Sequence, residues 1–153
     1  MILERRRMIM YSAIDVAKYI ILFCKENGYS ISNLKLQKLL YFVQAQFLIT
    51  TGEPIFPEEI EAWDFGPVVP DVYQHFKLWG SSELPLVLAR DAKSRIYKKD
   101  QEIMDEILEE CAKYSASFLV EITHNQDPWF DAYEKYCNNV ITKESIKEYF
   151  KNN

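Results

Sequence analysis

Leu34-Lys-Leu-Gln-Lys-Leu-Leu-Tyr-Phe-Val-Gln-Ala-Gln-Phe-Leu-Ile-Thr50 is the stretch around which the rest of the chain has to be arranged. Leu36, Leu40, Val43 and Phe47 recur at helical spacing, with Leu39, Phe42 and Ile49 as a second row beside them. Lys35, Lys38 and Gln46 are left as a narrow polar edge. A helix that is apolar around most of its circumference cannot turn a broad face to water, so it belongs in the centre of its domain. It is expected to open near Ser32 or Asn33, residues suited to an N-cap, and to stop before Gly52.

Working outward, Ser12 with Asp15 three residues on is a weaker relative of the capping box and predicts a helix over Ala13 to Asn27, with Gly28 as its C′ residue. Beyond the central helix, Glu61-Ala-Trp-Asp-Phe-Gly-Pro-Val-Val-Pro-Asp-Val-Tyr73 concentrates three aromatics, one Gly and two Pro in a strand-like run that leads into a helix. Ile60, Ala62 and Asp64 alternate with Glu61, Trp63 and Phe65, which reads as a short strand or extended ledge. Pro70 has the fixed φ and missing N–H suited to a first helical position, so a helix is expected from Pro70 to Trp79, ending at Gly80.

Leu84 to Leu88 and Arg95-Ile-Tyr97 read as further extended pieces of a small sheet. The rest is helical again: Asp100 to Tyr114, a helix capped by Ser115 and running to about Thr123, a proline-led start at Asp127-Pro128, and a last amphipathic helix after Thr142. The fold class expected is mainly α: a compact single-domain bundle of about six to seven helices with a small antiparallel β element. Residues 10–153 form that domain, and 1–9 are an N-terminal extension. Its Glu4-Arg-Arg-Arg7 can be written in purine-rich codons, as a ribosome-binding site would be, so translation is expected to start naturally at Met8 or Met10.

Composition narrows function. A hydrophobic fraction of 48% supports a real core, and 18 basic against 23 acidic residues argue against a generic phosphate-backbone binder. No apolar run approaches the roughly 20 residues that span a bilayer, and a cytoplasmic location is expected. Cys24, Cys111 and Cys137 lie outside any metal or disulfide spacing and are expected to be inert thiols.

Catalytic readings are thin. His75 lies between Tyr73 and Phe76, where packing is the default role, and Glu121 with His124 is only half of a di-metal helix signature. The four glycines are isolated, so no phosphate loop is present, and no cofactor is expected. A helix-turn-helix through Gly28-Tyr-Ser would need a far more polar second helix to read DNA. The rival readings are a small hydrolase or nuclease using His124 with Glu121 or Asp127, and a phage regulator binding DNA. Trp63, Phe65, Tyr73, Trp79 and Trp129 are the interaction candidates, although core packing is the default for any single aromatic.

Three patches together resemble the Panacea-domain antitoxins, the family that includes the SocA-like antitoxins and phage-associated relatives. They are Leu34 to Gln46, Glu61 to Tyr73, and Thr123-His124 followed by Pro128-Trp129. The resemblance implies a non-catalytic, mostly helical domain that neutralises the toxin of a neighbouring gene by direct binding. It also implies, for one type, delivery of that toxin to a bacterial protease. Its motif positions are Lys35, Gln37, Lys38, Tyr41, Trp63, Gly66, Pro67, Tyr73, His124 and Trp129. With Phe65 these are the partner-binding candidates, centred on the edge of the Leu34 helix and the ledge from Trp63 to Pro67. Substituting Trp63 or Lys38 is expected to weaken neutralisation while leaving the melting temperature nearly unchanged.

Overall fold

The computed structural model describes residues 10–153, so the expectations for the extension at 1–9 lie outside the described residues. The chain begins with α1, Ala13–Glu26, whose N-cap Ser12 accepts a hydrogen bond from Asp15 N at 3.1 Å. It ends through Asn27 into Gly28, at φ 74°. The central helix α2, Asn33–Thr51, starts on Ser32, which accepts from Lys35 N, and is closed by Gly52 in the left-handed region at φ 80°. Both helices therefore start and stop where capping chemistry predicts.

Next come β1, Ile60–Trp63, and β2, Gly66–Val68, an antiparallel hairpin in which Ala62 faces Pro67 and Trp63 faces Gly66. Helix α3, Pro70–His75, follows with its proline in the first turn. Short 3-10 turns occupy Lys77–Trp79, Leu86–Ala89 and Lys93–Arg95. The second half is α4, Lys98–Cys111; α5, Ala116–His124; α6, Asp127–Ala132; β3, Val140–Ile141; and α7, Lys143–Asn152. Ser115 and Thr142 cap α5 and α7 with their hydroxyls.

Helix α2 packs against α1, α3, α4, α5, α7 and β2, the central position its all-round apolarity demands. Ile20 and Ile21 of α1, Leu36, Leu39 and Leu40 of α2, and Met104 and Leu108 of α4 are fully buried in one core with Phe56 and Phe76. The chain is a mainly helical bundle with a three-stranded antiparallel sheet in the order β2-β1-β3.

Several local expectations are corrected. The junction contains a second strand, β2, before its helix begins. The predicted helix from Pro70 to Trp79 breaks at Phe76, which leaves helical geometry (φ −106°, ψ 10°) and buries its ring. Leu84 to Leu88 is not a strand: Leu84 donates its N–H to Ile31 O, and Pro85 leads into a 3-10 turn that leaves Leu86 and Val87 exposed. Arg95 to Tyr97 likewise has no ladder partner, and Gln101 donates to the carbonyls of Lys93 and Ile96 instead. The third strand is Val140–Ile141, two residues too short to show an alternation.

Candidate functional site

The β1–β2 hairpin is gripped from two sides. On the α2 side, Lys38 Nζ donates to Pro67 O at 2.7 Å. Val69 N donates to Gln37 Oε1, Gln37 Nε2 to Asn33 Oδ1, and Asn33 Nδ2 to Tyr73 O, a chain of three bonds of 2.9 to 3.1 Å. Proline at 67 is compatible with this strand because Ala62, opposite it, directs its own N–H to Asn139 O on the β3 side. Lys35 folds back, its Nζ donating to Ser30 O. Lys35, Gln37 and Lys38 are therefore buried, so Lys35 and Lys38 of the expected polar edge are internal fastenings, while Gln46 stays half-buried and donates to Glu106 Oε1. Lys38 in particular has no exposed atom surface for a partner to meet, and its substitution acts on the fold first.

On the opposite side stands a stack of three rings. His124 lies on Trp129 with centroids 4.0 Å apart, and Trp129 on Tyr133 at 4.5 Å. Each ring holds the hairpin turn by one bond: Trp129 Nε1 donates to Trp63 O, His124 Nε2 pairs with Asp64 O, and Tyr133 OH donates to Asp64 Oδ1. A carbonyl can only accept, so His124 Nε2 carries the proton. The bond to Asp64 holds the Tyr133 hydroxyl above its usual pKa. Tyr41 is buried and donates to Gln126 Oε1 between α5 and α6, which makes it a core strut.

Gly66 joins the two sides. Neither Asp64 nor Phe65 in the turn has a positive φ, so the left-handed step falls on Gly66 at φ 106°. A Cβ there would come within 2.8 Å of Lys38 Cε and 2.9 Å of Thr123 Oγ1. Helix α2, helix α5 and the hairpin thus meet at a point with no room for a side chain.

What this mount presents to solvent is a groove of about 510 Å³ beside the hairpin. Leu34, Trp63, Phe65, Val68, Tyr73 and Tyr136 supply its apolar walls. Phe65 is 66% exposed and Tyr136 92% exposed, the latter held at φ 67°. Trp63 is half-buried, its ring set edge-on to Tyr73 at 5.2 Å and its indole N–H given to Glu61 Oε1. Of the sequence candidates, Trp63, Phe65 and Tyr73 line this groove, Gln37 forms part of its floor, and Lys35, Lys38, Tyr41, Gly66, Pro67, His124 and Trp129 do not line it.

The SocA-like antitoxin, Panacea-domain family matches residues 36–130 of the chain. The chain belongs to that family. It is also 38% identical over 109 residues to a protein named Antitoxin SocA from Caulobacter vibrioides (strain NA1000 / CB15N), covering 65% of this chain and 58% of that relative. The chain therefore spans a little over half the length of this curated relative. No solved structure matches.

In this Panacea domain the matched interval contains the hairpin, the Gln37 and Lys38 fastenings of α2, and His124 and Trp129 of the ring stack, while Asn33, Lys35, Tyr133 and Tyr136 lie outside it. Sequence reasoning passed over those two tyrosines and Asn33. The i, i+4 spacing of Trp129 and Tyr133 was the available signal for the stack; a lone exposed tyrosine such as Tyr136 offers none. His124, the base of the hydrolase or nuclease reading, has its Nε2 spent on a backbone carbonyl. Among the described residues no group of three His, Cys, Asp or Glu could hold a metal ion, and no helix is long and apolar enough to cross a membrane. The three thiols are free; Cys24 is buried, whereas Cys137 is only partly covered and borders the groove.

Burial without a counter-charge pushes Lys38 of the Panacea domain down to about 7. The sign follows: between that value and the ordinary lysine range the unfolded chain binds more protons, so stability rises with pH. Lys35, lowered by its own burial, acts in the same direction. Above pH 9 the trend reverses, because burial raises Cys24 to about 11 and Cys111 to about 12, and the unfolded chain then loses protons first. Urea titrations are expected to show unfolding free energy climbing from pH 7 to 8.5, by at most about 1.4 kcal/mol per unit from one group. The variant Lys38→Met should flatten most of that climb; an unchanged slope would show that Lys38 does not titrate there.

Proposed function

We propose that this chain is an antitoxin that neutralises the toxin of an adjacent gene by direct protein–protein binding, with the hairpin groove as its contact surface. The observation that carries this reading is the division of labour at the hairpin. The polar groups that could have served chemistry, Lys38, Gln37 and His124, are engaged in holding it, while exposed aromatics stand over a groove. Large aromatic side chains on a rigid support lose little freedom on binding and are enriched among the residues that dominate interfaces.

The test is co-expression with the product of each neighbouring gene, scored by growth rescue and by recovery of a stable complex. Phe65→Ser is expected to leave the melting temperature within about 2 °C, since an exposed substitution usually changes stability by under about 0.5 kcal/mol. It should weaken the complex about tenfold or more. Rescue that survives both Phe65→Ser and Trp63→Ala would move the contact surface elsewhere. Toxin that persists in the complex marks blocking, and toxin that disappears only in cells with the relevant protease marks delivery.

A further inference from the structure

The segments around the groove carry a charge balance that the rest of the chain does not have, while the lining itself holds one carboxylate, Asp64, and one ammonium, Lys77. Residues 58–79 and 127–139, the two segments that contribute the hairpin, α3, the ring stack and Tyr136, contain eight acidic and two basic side chains. The remaining residues contain fifteen acidic and sixteen basic ones, so the whole negative balance of the protein belongs to these two segments, although Asp127 and Asp131 line a separate surface pocket and Glu58 accepts from Ala13 N at the start of α1. The ion pairs among the described residues, Lys25–Glu83, Lys93–Glu26 and Arg95–Asp15, all lie elsewhere. Asp64, on the groove wall, gives one carboxylate oxygen to the Tyr133 hydroxyl and has no basic partner among the described residues.

Inside the groove the polar floor is already spent. Asn33 and Gln37 are bonded to one another, to Tyr73 O and to Val69 N. The Trp63 indole N–H, the donor an acidic ligand would seek, is taken by Glu61. What remains on offer is aromatic surface with the Asp64 carboxylate on one wall and Lys77 at the rim; the rings attract a cation through their negative faces, and Asp64 sets the side on which it sits. The chain's own Lys135 illustrates the preference, its Nζ lying 5.2 Å over the Tyr136 ring.

We infer that the groove receives a basic segment of the partner protein, with an arginine or lysine seated against Trp63, Tyr73 and Tyr136 and next to Asp64, and apolar neighbours against Leu34 and Val68. Arginine fits better than lysine, since its planar guanidinium can stack on a ring while donating in-plane to a carboxylate. This rests on the antitoxin reading for the source of the segment, but the chemistry of the groove is testable without it.

The probe is a displayed library of random twelve-residue peptides, selected on the intact protein and counter-selected on Trp63→Ala and on Tyr136→Ser, the latter a fully folded control for the former. The expected winners contain arginine or lysine beside an apolar residue. They should lose about tenfold in affinity when that basic residue becomes glutamine, and severalfold on Asp64→Asn, a change that keeps an acceptor for Tyr133. Their binding should weaken from 50 to 500 mM salt, the two conditions chosen to screen such charges. Acidic or uncharged winners, equal selection on the variants, or no enrichment at all would overturn the inference. If a neighbouring gene product binds with undiminished affinity to Trp63→Ala, Tyr136→Ser and Asp64→Asn, the groove chemistry fails and the antitoxin reading stands. Basic winners together with neighbouring products that do not bind would leave the groove chemistry and remove the antitoxin reading.

Discussion

Gly66→Ala is expected to lower the melting temperature by about 10 °C, the consequence of roughly 3 kcal/mol in a chain of this size. Two costs combine. An alanine at φ 106° sits in backbone space that L side chains avoid, worth about 1–3 kcal/mol. Its Cβ would also stand 2.8 Å from Lys38 Cε and 2.9 Å from Thr123 Oγ1, so the lysine that holds Pro67 O must move. Adding Thr123→Ala should return part of the second cost and none of the first, giving a non-additive pair. Thermal melts of the two single variants and the double variant measure it. A Gly66→Ala protein that melts within 2 °C of the parent would mean that the hairpin is not fixed at this point, a margin of about 0.5 kcal/mol.

Trp129→Ala should cost still more, about 3–5 kcal/mol, in the range found when a buried Trp is cut back to alanine. The loss includes both stacking partners, His124 and Tyr133, and the bond from Nε1 to Trp63 O. Trp129→Phe separates these contributions. It retains a ring for the stack but leaves the Trp63 carbonyl without its donor, which costs about 1–3 kcal/mol where the group stays buried. Denaturant titration gives the totals, and amide hydrogen exchange at Trp63 and Gly66 reports whether the turn has loosened. Fast exchange at the turn in Trp129→Phe, with α1 and α4 still protected, is the expected pattern. Uniform exchange across the chain would make Trp129 a general core residue without special hold on the hairpin.

Much of the helical frame was legible because it is written in short-range signals. Ser12 and Ser115 cap the helices they were expected to cap, Thr142 caps the helix it was expected to open, Ser32 and not Asn33 proves to be the cap of α2, and Gly28 and Gly52 each close one. The apolar circumference of α2 gave its central position. The strands were harder: β3 is two residues long, and Gly66-Pro-Val68 has a composition that reads as a turn until its pairing with β1 is known. The largest error concerned Lys35 and Lys38. A lysine at helical spacing from other lysines reads as a solvated edge, and only the tertiary arrangement supplies Ser30 O and Pro67 O as buried acceptors. In the same way, Trp63, Phe65 and Tyr73 could be named from the sequence as interaction candidates, but the groove they share depends on the hairpin closing over α2.

The convergence of three distant motif patches on one hairpin separates two properties that mutational work usually finds entangled. Of the motif positions, Lys35, Gln37, Lys38, Tyr41, Gly66, Pro67 and Trp129 are buried and set the posture of the loop, Trp63 and Tyr73 stand half-buried on the groove wall, and Phe65, Tyr136, Lys77 and Ser81 at the rim are exposed. Exchanging exposed residues alters shape and charge where a visitor would land at little cost to folding. On the proposed reading the domain is a socket with a replaceable collar, its fittings fixed underneath and its choice of guest set at the lip.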